Sequence, residues 1–309
     1  MLSLIAIAKN EAAGMADFLI HHTPLCDEII VVDTGSDDGT ARIAEAHGAK
    51  VFTFAWCDDF AVARNFSLSM ATCAWVMYLD IDERIDPSDF PRLRQAIKGR
   101  PTCYQLPQWN YYNDPRHMEW QPTPGRYPEA ELDHRGFFQA EQYRLFPNGH
   151  GLRWEGRVHE DMSAAVAASG LPRRMLDVPI HHYGYVQSDE RNRSRNTFYG
   201  RLVRRNVDDR PEDPKALLEL GYILIQEGQS REAIPVLEKA VAMGAKGPVL
   251  CRVSSMLATL YQADGQPDEA IDILYRCMLE NPSWLFGWRD LITMLMDGGH
   301  WEQASLGLQ

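Results

Sequence analysis

The stretch "WVMYLDIDERI", residues 75–85, decides how the first part of this sequence is interpreted. Its apolar half has the length and composition of a buried β-strand, and two acids, Asp80 and Asp82, follow where the apolar run ends. Alternate residues of an extended chain point the same way, so we expect the two carboxylates to share a direction. Two like charges this close are costly unless something offsets them, and both a divalent cation above a phosphate and plain solvent would do so.

Strand-like and helix-like segments alternate on both sides of this stretch. The predicted strands are residues 2–8, 28–33, 50–55 and 75–79, and the predicted helices are 12–22, 40–47 and 61–71. Such alternation predicts an α/β domain with a parallel sheet and helices on its faces. In sheets of this kind, ligands bind beyond the carboxyl ends of the strands.

Polar residues follow each of the four predicted strands. They are Lys9-Asn10-Glu11, Asp33-Thr34-Gly35-Ser36-Asp37, Cys57-Asp58-Asp59 and Asp80-Ile81-Asp82. Because parallel strands end at one edge of a sheet, these groups should meet there, and solvation alone explains four such groups poorly. The sequence therefore predicts a binding site at this edge.

The middle of the chain has a different composition. Residues 101–158 are aromatic, proline-rich and irregular, which predicts loops or short antiparallel strands around a binding cleft. Residues 190–206 are compatible with a helix and carry several arginines, among them Arg191 and Arg195. A proline-rich linker, residues 210–214, follows this helix.

The last third of the sequence repeats itself. Ala233, Ala270 and Ala304 stand in similar contexts, 37 and 34 residues apart. A period of about 34 residues is typical of the helix–turn–helix tetratricopeptide repeat. The sequence therefore predicts an α/β domain over residues 1–210 and an all-α domain of about two and a half repeats over 211–309. The incomplete third repeat leaves apolar residues such as Trp301 and Leu306, which favour association with a partner or a second copy.

Composition excludes several classes of protein. The net charge of −12, with 43 acidic against 31 basic residues, argues against a broad nucleic-acid-binding face. No stretch approaches the roughly 20 apolar residues of a membrane span, and the apolar start lacks the basic region of a signal peptide. The six cysteines are scattered without paired spacing. That pattern predicts free thiols in a reducing compartment, by default the cytoplasm.

Four blocks of sequence carry a resemblance to a known family. They are "IAKNE", "EIIVVDTGSDDGT", "WCDDFAVARNFSL" and "YLDIDE", and they occur in this order within the first 85 residues. In this order they resemble the N-terminal half of family 2 glycosyltransferases, in particular the group with C-terminal tetratricopeptide repeats, to which the sublancin-type S-glycosyltransferases are related. The resemblance resumes around residues 144–161 and at "HYGY", residues 182–185. It implies the GT-A fold, a Rossmann-like mixed sheet with helices on both faces.

The same resemblance implies an activity and a donor site. The expected reaction is inverting transfer of a sugar from a nucleotide-linked donor, usually a UDP-sugar, to a protein, peptide or glycan acceptor, with Mn²⁺ or Mg²⁺. Carboxylate oxygens suit these hard cations, and a metal ion offsets the charge of a departing diphosphate. By resemblance, the nucleotide-sugar contacts fall on Ala8, Lys9, Glu11, Asp33, Arg64, Asp80 and Ile81. The alternative for Asp33 is a tight turn before the next helix, and the alternative for Arg64 is an ion pair with Asp58 or Asp59 on a helix surface.

The metal ligands and the catalytic base are predicted on the same basis. Asp82 is expected to coordinate the metal directly and His182 to act as a third ligand, whereas Asp80 is expected either to face the ribose or to reach the metal through water. An inverting transfer also needs a carboxylate to take the proton from the acceptor, and here Glu160 is the first candidate and Asp161 the second. A metalloprotease interpretation of His159-Glu160 fails because Ser163 stands where the second histidine is required.

Other functions share these features. A non-catalytic nucleotide-binding scaffold whose repeats hold a partner protein is the main alternative, although the intact D-x-D argues against decay. A nucleotidyltransferase would need a glycine-rich basic loop after the first strand, and Lys9-Asn-Glu-Ala-Ala-Gly14 is a poor version of one. The repeats favour a protein or peptide acceptor, since such surfaces bind extended segments, or else a homodimer contact.

Overall fold

The computed structural model describes residues 1–115, 119–186 and 189–298, with the backbone alone for 186 and 189–196. The chain divides into two compact units, Met1–Arg195 and Asn196–Gln309. The first is an α/β unit and the second is helical. The boundary predicted at residue 210 stays a prediction.

The strands and helices follow the order that the sequence predicts for the first 85 residues. The strands are β1 (Leu2–Ala8), β2 (Glu28–Asp33), β3 (Lys50–Thr53), β4 (Trp75–Tyr78), β5 (Glu83–Ile85), β6 (Cys103–Tyr111), β7 (Trp120–Pro122), β8 (Gly136–Pro147), β9 (Arg173–Met175) and β10 (Ile180–His182). The helices are α1 (Ala12–His22), α2 (Thr40–Ala46), α3 (Phe60–Met70), α4 (Phe90–Ala96), α5 (Pro128–Glu131), α6 (Ser163–Ala168), α7 (Asp189–Asp209), α8 (Pro214–Gln226), α9 (Ser230–Ala242), α10 (Gly247–Ala263), α11 (Pro267–Glu280) and α12 (Leu285–Asp297). Short 3-10 helices cover Pro87–Asp89 and Gly184–Val186.

The described strands form one mixed sheet in the order β3-β2-β1-β4-β8-β6-β10-β5, with β7 on β8 and β9 on β6. Strands β1 to β4 pair in parallel, as predicted. β8 then runs antiparallel to both β4 and β6. The carboxyl ends of β1, β2 and β4 therefore lie side by side at one edge.

The middle of the chain differs from the prediction of loops or short strands. Its aromatic segments form β6 and β8, strands of 9 and 12 residues that pair with each other in the centre of the sheet. Proline at 107 and the register shift at Tyr104/Gln105 interrupt the pattern that would have shown a long strand. The two strands form because they pair with each other, and their local composition alone does not predict them.

Helices cover both faces of the sheet. Alternate residues of β1 divide between two apolar clusters, with Leu4 and Ala6 in one and Ile5 in the other. The first cluster includes residues of α1, α2 and α4, whereas the second includes residues of α3 and α6. This arrangement confirms the predicted GT-A type of fold, a mixed sheet between helical layers.

The second unit consists of helices that pack in consecutive pairs, α8 with α9 and α10 with α11, as the period predicts. Ala233 in α9 and Ala270 in α11 are both fully buried at the start of the second helix of their pairs. Gly221 in α8 lies so close to Leu237 that an added Cβ would stand 2.4 Å from its Cδ2. α12 is the first helix of a third pair. Residues Trp301, Ala304 and Leu306 lie outside the described residues, so the predicted association through them stays a prediction.

Helices of the described ranges include none that is both long enough and apolar enough to cross a membrane. The predicted cytoplasmic location is not tested by this observation. It stays a prediction from the cysteine pattern.

Candidate active site

Three neighbouring parallel strands end at the edge where the sequence predicts a site. Ala8, the last residue of β1, pairs with Asp33, the last residue of β2. On the other side of β1, Ile5 pairs with Tyr78 of β4, and Asp80 follows two residues later. The register thus brings the ends of the first, second and fourth strands together.

The loops after β1 and β2 bind each other through their polar groups. The carbonyl of Ala8 accepts hydrogen bonds from the N–H (2.9 Å) and the hydroxyl (3.1 Å) of Thr34. The buried Asp33 carboxylate accepts from the N–H of Ser36 at 3.2 Å. Asp33 therefore does close the turn after its strand, as the simpler interpretation predicted, and its role toward a nucleotide stays a prediction.

The segment after β1 is held against the start of α2. Asn10 has a left-handed backbone (φ 56°), and its side-chain oxygen accepts from the N–H of Asp37 at 3.0 Å. The N–H of Glu11 donates to the hydroxyl of Thr40 at 2.8 Å. Lys9 is exposed at the same edge. Both residues predicted to contact the donor, Lys9 and Glu11, thus lie beside the ends of the parallel strands.

Asp80 and Asp82 lie in a turn, not in an extended strand, because β4 ends at Tyr78. The turn is closed by Glu83, whose N–H donates to the carbonyl of Asp80 at 3.0 Å. The two carboxylates contact different partners, Arg64 for Asp80 and His182 for Asp82. The expectation of a shared direction was therefore wrong, since alternation applies only to extended chain.

Arg64, in the first turns of α3, joins two predicted site residues. Its Nη2 donates to Asp80 Oδ1 at 3.0 Å, and its Nε donates to Glu160 Oε1. The guanidinium also lies over the Tyr78 ring, 4.7 Å from the centroid. Burial by itself raises the pKa of Asp80, but the charges of Arg64 and Arg144 outweigh it and hold that pKa below its usual value.

The alternative for Arg64, a surface arginine paired with Asp58 or Asp59, is wrong. Its side chain is 9% exposed and lies against the acids of the site. Asp59 instead caps α3, accepting from the N–H of Val62 at 2.9 Å. Arg64 is therefore a buried cation between Glu160, the predicted base, and Asp80, a predicted donor-site residue.

The loop that carries Glu160 is fixed from both ends. The side chain of Asn65 bonds both the N–H and the carbonyl of Trp154, each at 2.9 Å. The backbones of Glu155 and Asp161 then pair at 2.9 and 3.0 Å, closing a loop in which His159 is left-handed (φ 48°). A left-handed backbone outside glycine is uncommon and concentrates at functional loops.

The two candidate bases occupy different environments. Glu160 is 11% exposed and contacts Arg64. Asp161 is exposed, and its Oδ1 accepts from the hydroxyl of Ser163 at 2.9 Å. Glu160 alone of the pair lies with the other site residues.

Asp82 and His182 form a two-residue donor set. His182 Nε2 lies 3.4 Å from Asp82 Oδ2, and its Nδ1 is 2.7 Å from the amide oxygen of Asn110. An N–H at Nδ1 bonded to that oxygen leaves the Nε2 lone pair directed toward Asp82, as a metal-binding histidine requires. Gly184 leaves this region open, since an added Cβ would stand 2.5 Å from His182 Nε2 and 2.8 Å from Asp82 Oδ2.

Asp80 does not complete this set. Within residues 1–115, 119–186 and 189–298 there is no group of three His, Cys, Asp or Glu side chains placed to hold a metal ion. The chemistry of Asp82 and His182 fits a divalent cation that takes its remaining ligands from substrate and water, as Mg²⁺ commonly does. The predicted participation of Asp80 stays a prediction.

A buried ion pair that the sequence does not reveal lies next to the site. Glu83 and Arg144 are almost fully buried and form a two-pronged contact at 2.9 and 2.8 Å. Both lie in segments that resemble the family, but nothing in their local pattern assigns them a role. Their separation of 61 residues hides the pairing from any local signal.

The aromatic residues of the middle segment lie largely in the core, where a binding cleft was expected. Trp109, Tyr111, Tyr127 and Phe137 form a buried cluster around His181. Tyr185, which lies beyond this segment, is 42% exposed with its ring 5.5 Å from that of His182. Most of the aromatic residues that were expected to line an acceptor cleft are therefore packed in the core.

Comparison with known families agrees with this architecture. Residues 3–154 match the family described as glycosyl transferase family 2, and residues 214–243 match a tetratricopeptide repeat. Sugar transfer is the class of reaction that these matches support.

Individual proteins also resemble this chain in sequence. A TPR repeat-containing protein of Synechococcus elongatus is 29% identical over 96% of this chain and 72% of its own length. The SPbeta prophage-derived glycosyltransferase SunS of Bacillus subtilis is 22% identical over 70% of this chain. An uncharacterized glycosyltransferase of Rickettsia felis is 37% identical over 27% of this chain. The chain spans 47% of the length of SunS and 29% of that of the Rickettsia protein.

Proposed function

We propose that the α/β unit, whose residues 3–154 match the family described as glycosyl transferase family 2, transfers a sugar, with inversion, from a nucleotide-linked donor, a UDP-sugar first. The transfer depends on Mn²⁺ or Mg²⁺. The acceptor is a protein or peptide, a choice supported by the tetratricopeptide repeat that follows the domain.

One observation carries the proposal. Arg64 joins Glu160, the candidate base, to Asp80 of the D-x-D turn at the carboxyl edge of the sheet. An inverting transfer needs a base for the acceptor and a countercharge for the departing diphosphate within one small region. A solvated strand end has no need of a buried arginine between two acids.

Each residue then has a defined task. Glu160 takes the proton from the acceptor hydroxyl or thiol as it attacks the anomeric carbon. Asp82 and His182 would hold the cation, which when bound offsets charge on the diphosphate. Arg64 supplies a fixed positive charge beside the same region. The nucleotide contacts are assigned to Ala8, Lys9, Glu11, Asp33 and Ile81.

Calorimetric titration of UDP with and without Mn²⁺ tests the donor site. We expect binding that requires the metal and is lost in Asp82→Ala, because one of the two protein donors to the cation is removed. Asp161→Asn is the matched control, since that exposed carboxylate contacts Ser163 and lies apart from the donor set. Binding of equal strength in Asp82→Ala would contradict the assignment.

Glu160→Gln tests the base. We expect donor binding within about threefold of the parent and transfer reduced by at least a factor of about 100, because an amide cannot take the proton. Transfer is measured by product mass with a panel of UDP-sugars and peptides containing Ser, Thr and Cys. Parent-level transfer in Glu160→Gln, with Asp161→Asn inactive, would move the role to Asp161.

A further inference from the structure

The buried pair of Glu83 in β5 and Arg144 in β8 forms a closed polar network inside the sheet. Besides its two bonds to Glu83, Arg144 donates to the side-chain oxygen of Gln108 at 3.0 Å. Gln108 in turn donates to Glu83 at 3.0 Å. Every partner is buried, so the network has little contact with solvent.

A contribution to folding stability does not by itself explain why this ion pair is buried. Removing two full charges from water costs free energy that their attraction repays only in part, and apolar pairs of similar size often replace buried ion pairs without loss. The neighbours of Arg144 along β8, Leu145 and Phe146, are themselves fully buried apolar residues. An apolar pair would suit these surroundings, so the position of the charges calls for another explanation.

Glu83 connects the pair to the D-x-D turn. Its Oε2 accepts a hydrogen bond from the N–H of Asp80 at 2.8 Å, while its own N–H donates to the carbonyl of Asp80. The turn that presents Asp80 and Asp82 is thus hydrogen-bonded to the Glu83 carboxylate, and Arg144 holds that carboxylate in place. Any rotation of the Glu83 side chain would release the N–H of Asp80.

Arg144 connects the pair to Arg64. The guanidinium of Arg144 lies 4.1 Å from the centroid of the Tyr78 ring, and that of Arg64 lies 4.7 Å from the same centroid. Tyr78 is buried, and its hydroxyl donates to Gln142. One fixed ring therefore contacts both cations, and the second of them binds Asp80 and Glu160.

We propose that Glu83 and Arg144 are positioning residues for the sugar transfer proposed above: they fix the turn that presents Asp80 and Asp82 and, through Tyr78, the place of Arg64 beside Glu160. The inference rests on that function. Outer residues that orient the groups at a metal site typically change metal affinity or activity by about 10–100-fold when they are replaced.

A double variant, Glu83→Met with Arg144→Met, separates positioning from stability. It removes both charges together and leaves no unpaired one, so its melting temperature should stay within a few degrees of the parent. We expect its Mn²⁺-dependent affinity for UDP to weaken by about 10–100-fold and its turnover to fall by a similar factor. Glu28→Gln is the matched control, a buried carboxylate at the opposite end of β2 that binds Lys50, Ser3 and Thr72. It should change melting but leave UDP affinity and turnover within about twofold.

Arg144→Lys decides the question if the double variant does not fold. Lysine retains the charge opposite Glu83 but lacks the planar fork that also reaches Gln108 and the Tyr78 ring. We expect a folded protein whose turnover and UDP affinity are each reduced by about tenfold or more. Simple loss of packing would instead lower the melting temperature and leave the affinity of the folded fraction unchanged.

The outcomes separate the two proposals. If the parent binds UDP with Mn²⁺ and the folded variants match it in affinity and turnover, positioning by Glu83 and Arg144 is wrong and the proposed function stands. If the parent neither binds UDP with metal nor transfers sugar, the function falls and the positioning role falls with it. Weakened binding and turnover in folded variants, with Glu28→Gln unaffected, support both.

Discussion

The two units of the chain bury different kinds of residue. Among the described residues of the α/β unit, seven charged residues are buried: Glu28, Asp33, Arg64, Glu83, Asp89, Glu131 and Arg144. In the helical unit, the buried polar residues of the described part are Asn206, Ser254 and Ser255, and none carries a charge. The helical core is otherwise built from leucines, alanines and other small or apolar residues.

The difference indicates that the α/β unit holds charged groups at set positions, whereas the helical unit is held together by close packing of apolar side chains. Buried charges are costly and are retained where a charged group must stand at a set place. Arg64, Glu83 and Arg144 meet this description at the edge of the sheet. The helical unit depends on close approach of helices, as at Gly221 against Leu237. The contrast predicts that the two units respond differently to the same kinds of change.

The largest effect is expected from breaking the buried pair on one side only. Arg144→Met leaves the Glu83 carboxylate buried without its countercharge, which should lower the free energy of unfolding by about 3–5 kcal/mol. Urea unfolding followed by tryptophan fluorescence measures this change. The loss should be far greater than in the double variant with Glu83→Met, because that variant leaves no unpaired charge.

Lys50→Met is the control for Arg144→Met. Lys50 pairs with Glu28 but is 57% exposed, so its removal should cost about 0–1 kcal/mol. Equal losses in Lys50→Met and Arg144→Met would remove the distinction between buried and exposed pairs on which the comparison depends.

A smaller effect is expected in the helical unit, where volume matters. Gly221→Ala would place a Cβ 2.4 Å from Leu237 Cδ2, so the Leu237 side chain or the helix that carries it must shift, at a cost of about 1–3 kcal/mol. The measurement is thermal unfolding followed by circular dichroism. Leu237→Ala alone should cost about 2–5 kcal/mol because it removes a buried side chain, but the double variant should lose less than the sum of the two single losses, because the clashing atoms are gone.

Gly14→Ala, in α1 of the other unit, is the matched control. Its added Cβ would meet Ile81 at an ordinary 3.6 Å, so alanine should stabilise the helix by about 0.5–1 kcal/mol. A loss in Gly14→Ala as large as in Gly221→Ala would show that glycine is required in both helices for reasons other than close approach.

Local signals in the sequence were sufficient for elements whose contacts are regular. Predicted and observed bounds of β1, α1 and β2 coincide, because apolar runs, turn residues and caps lie next to one another in the chain. The period of alanines likewise gave the helix pairs of α8 to α11. Parallel strands end at one edge by construction, so the location of the candidate site also followed from the pattern.

Features that depend on distant segments did not follow. β6 and β8 become long strands only because they pair with each other, and Glu83 meets Arg144 across 61 residues. Local sequence offers Asp58 and Asp59 as ion-pair partners of Arg64, but in the fold Arg64 binds Asp80 and Glu160. Local pattern predicts which groups lie at an edge, whereas the pairing among them depends on tertiary structure.

The smallest expected effect concerns pH, and it should fall on the α/β unit. Nine of the ten histidines precede residue 183, and His22 is fully buried, with Nδ1 2.9 Å from the carbonyl of Phe18. Burial, and then the neighbouring His21, lower the pKa of His22 to about 3. As the pH falls, His22 is protonated in the unfolded chain near pH 6.5 but in the folded protein only near pH 3. The contribution of His22 to the free energy of unfolding is therefore largest above about pH 6.5 and declines as the pH falls below that value.

Between pH 7.5 and 5.5 the contribution of His22 should decline by about 1 kcal/mol. Urea unfolding at both values measures this, and His22→Gln should show a smaller decline than the parent because glutamine does not titrate. His47→Gln, at an exposed position, should retain the parental decline. Hydrogen exchange resolved by segment should locate the loss in Met1–Arg195, with amides of α8 to α11 unchanged. A parental decline in His22→Gln, or an equal loss of protection in both units, would show that buried histidine does not distinguish them.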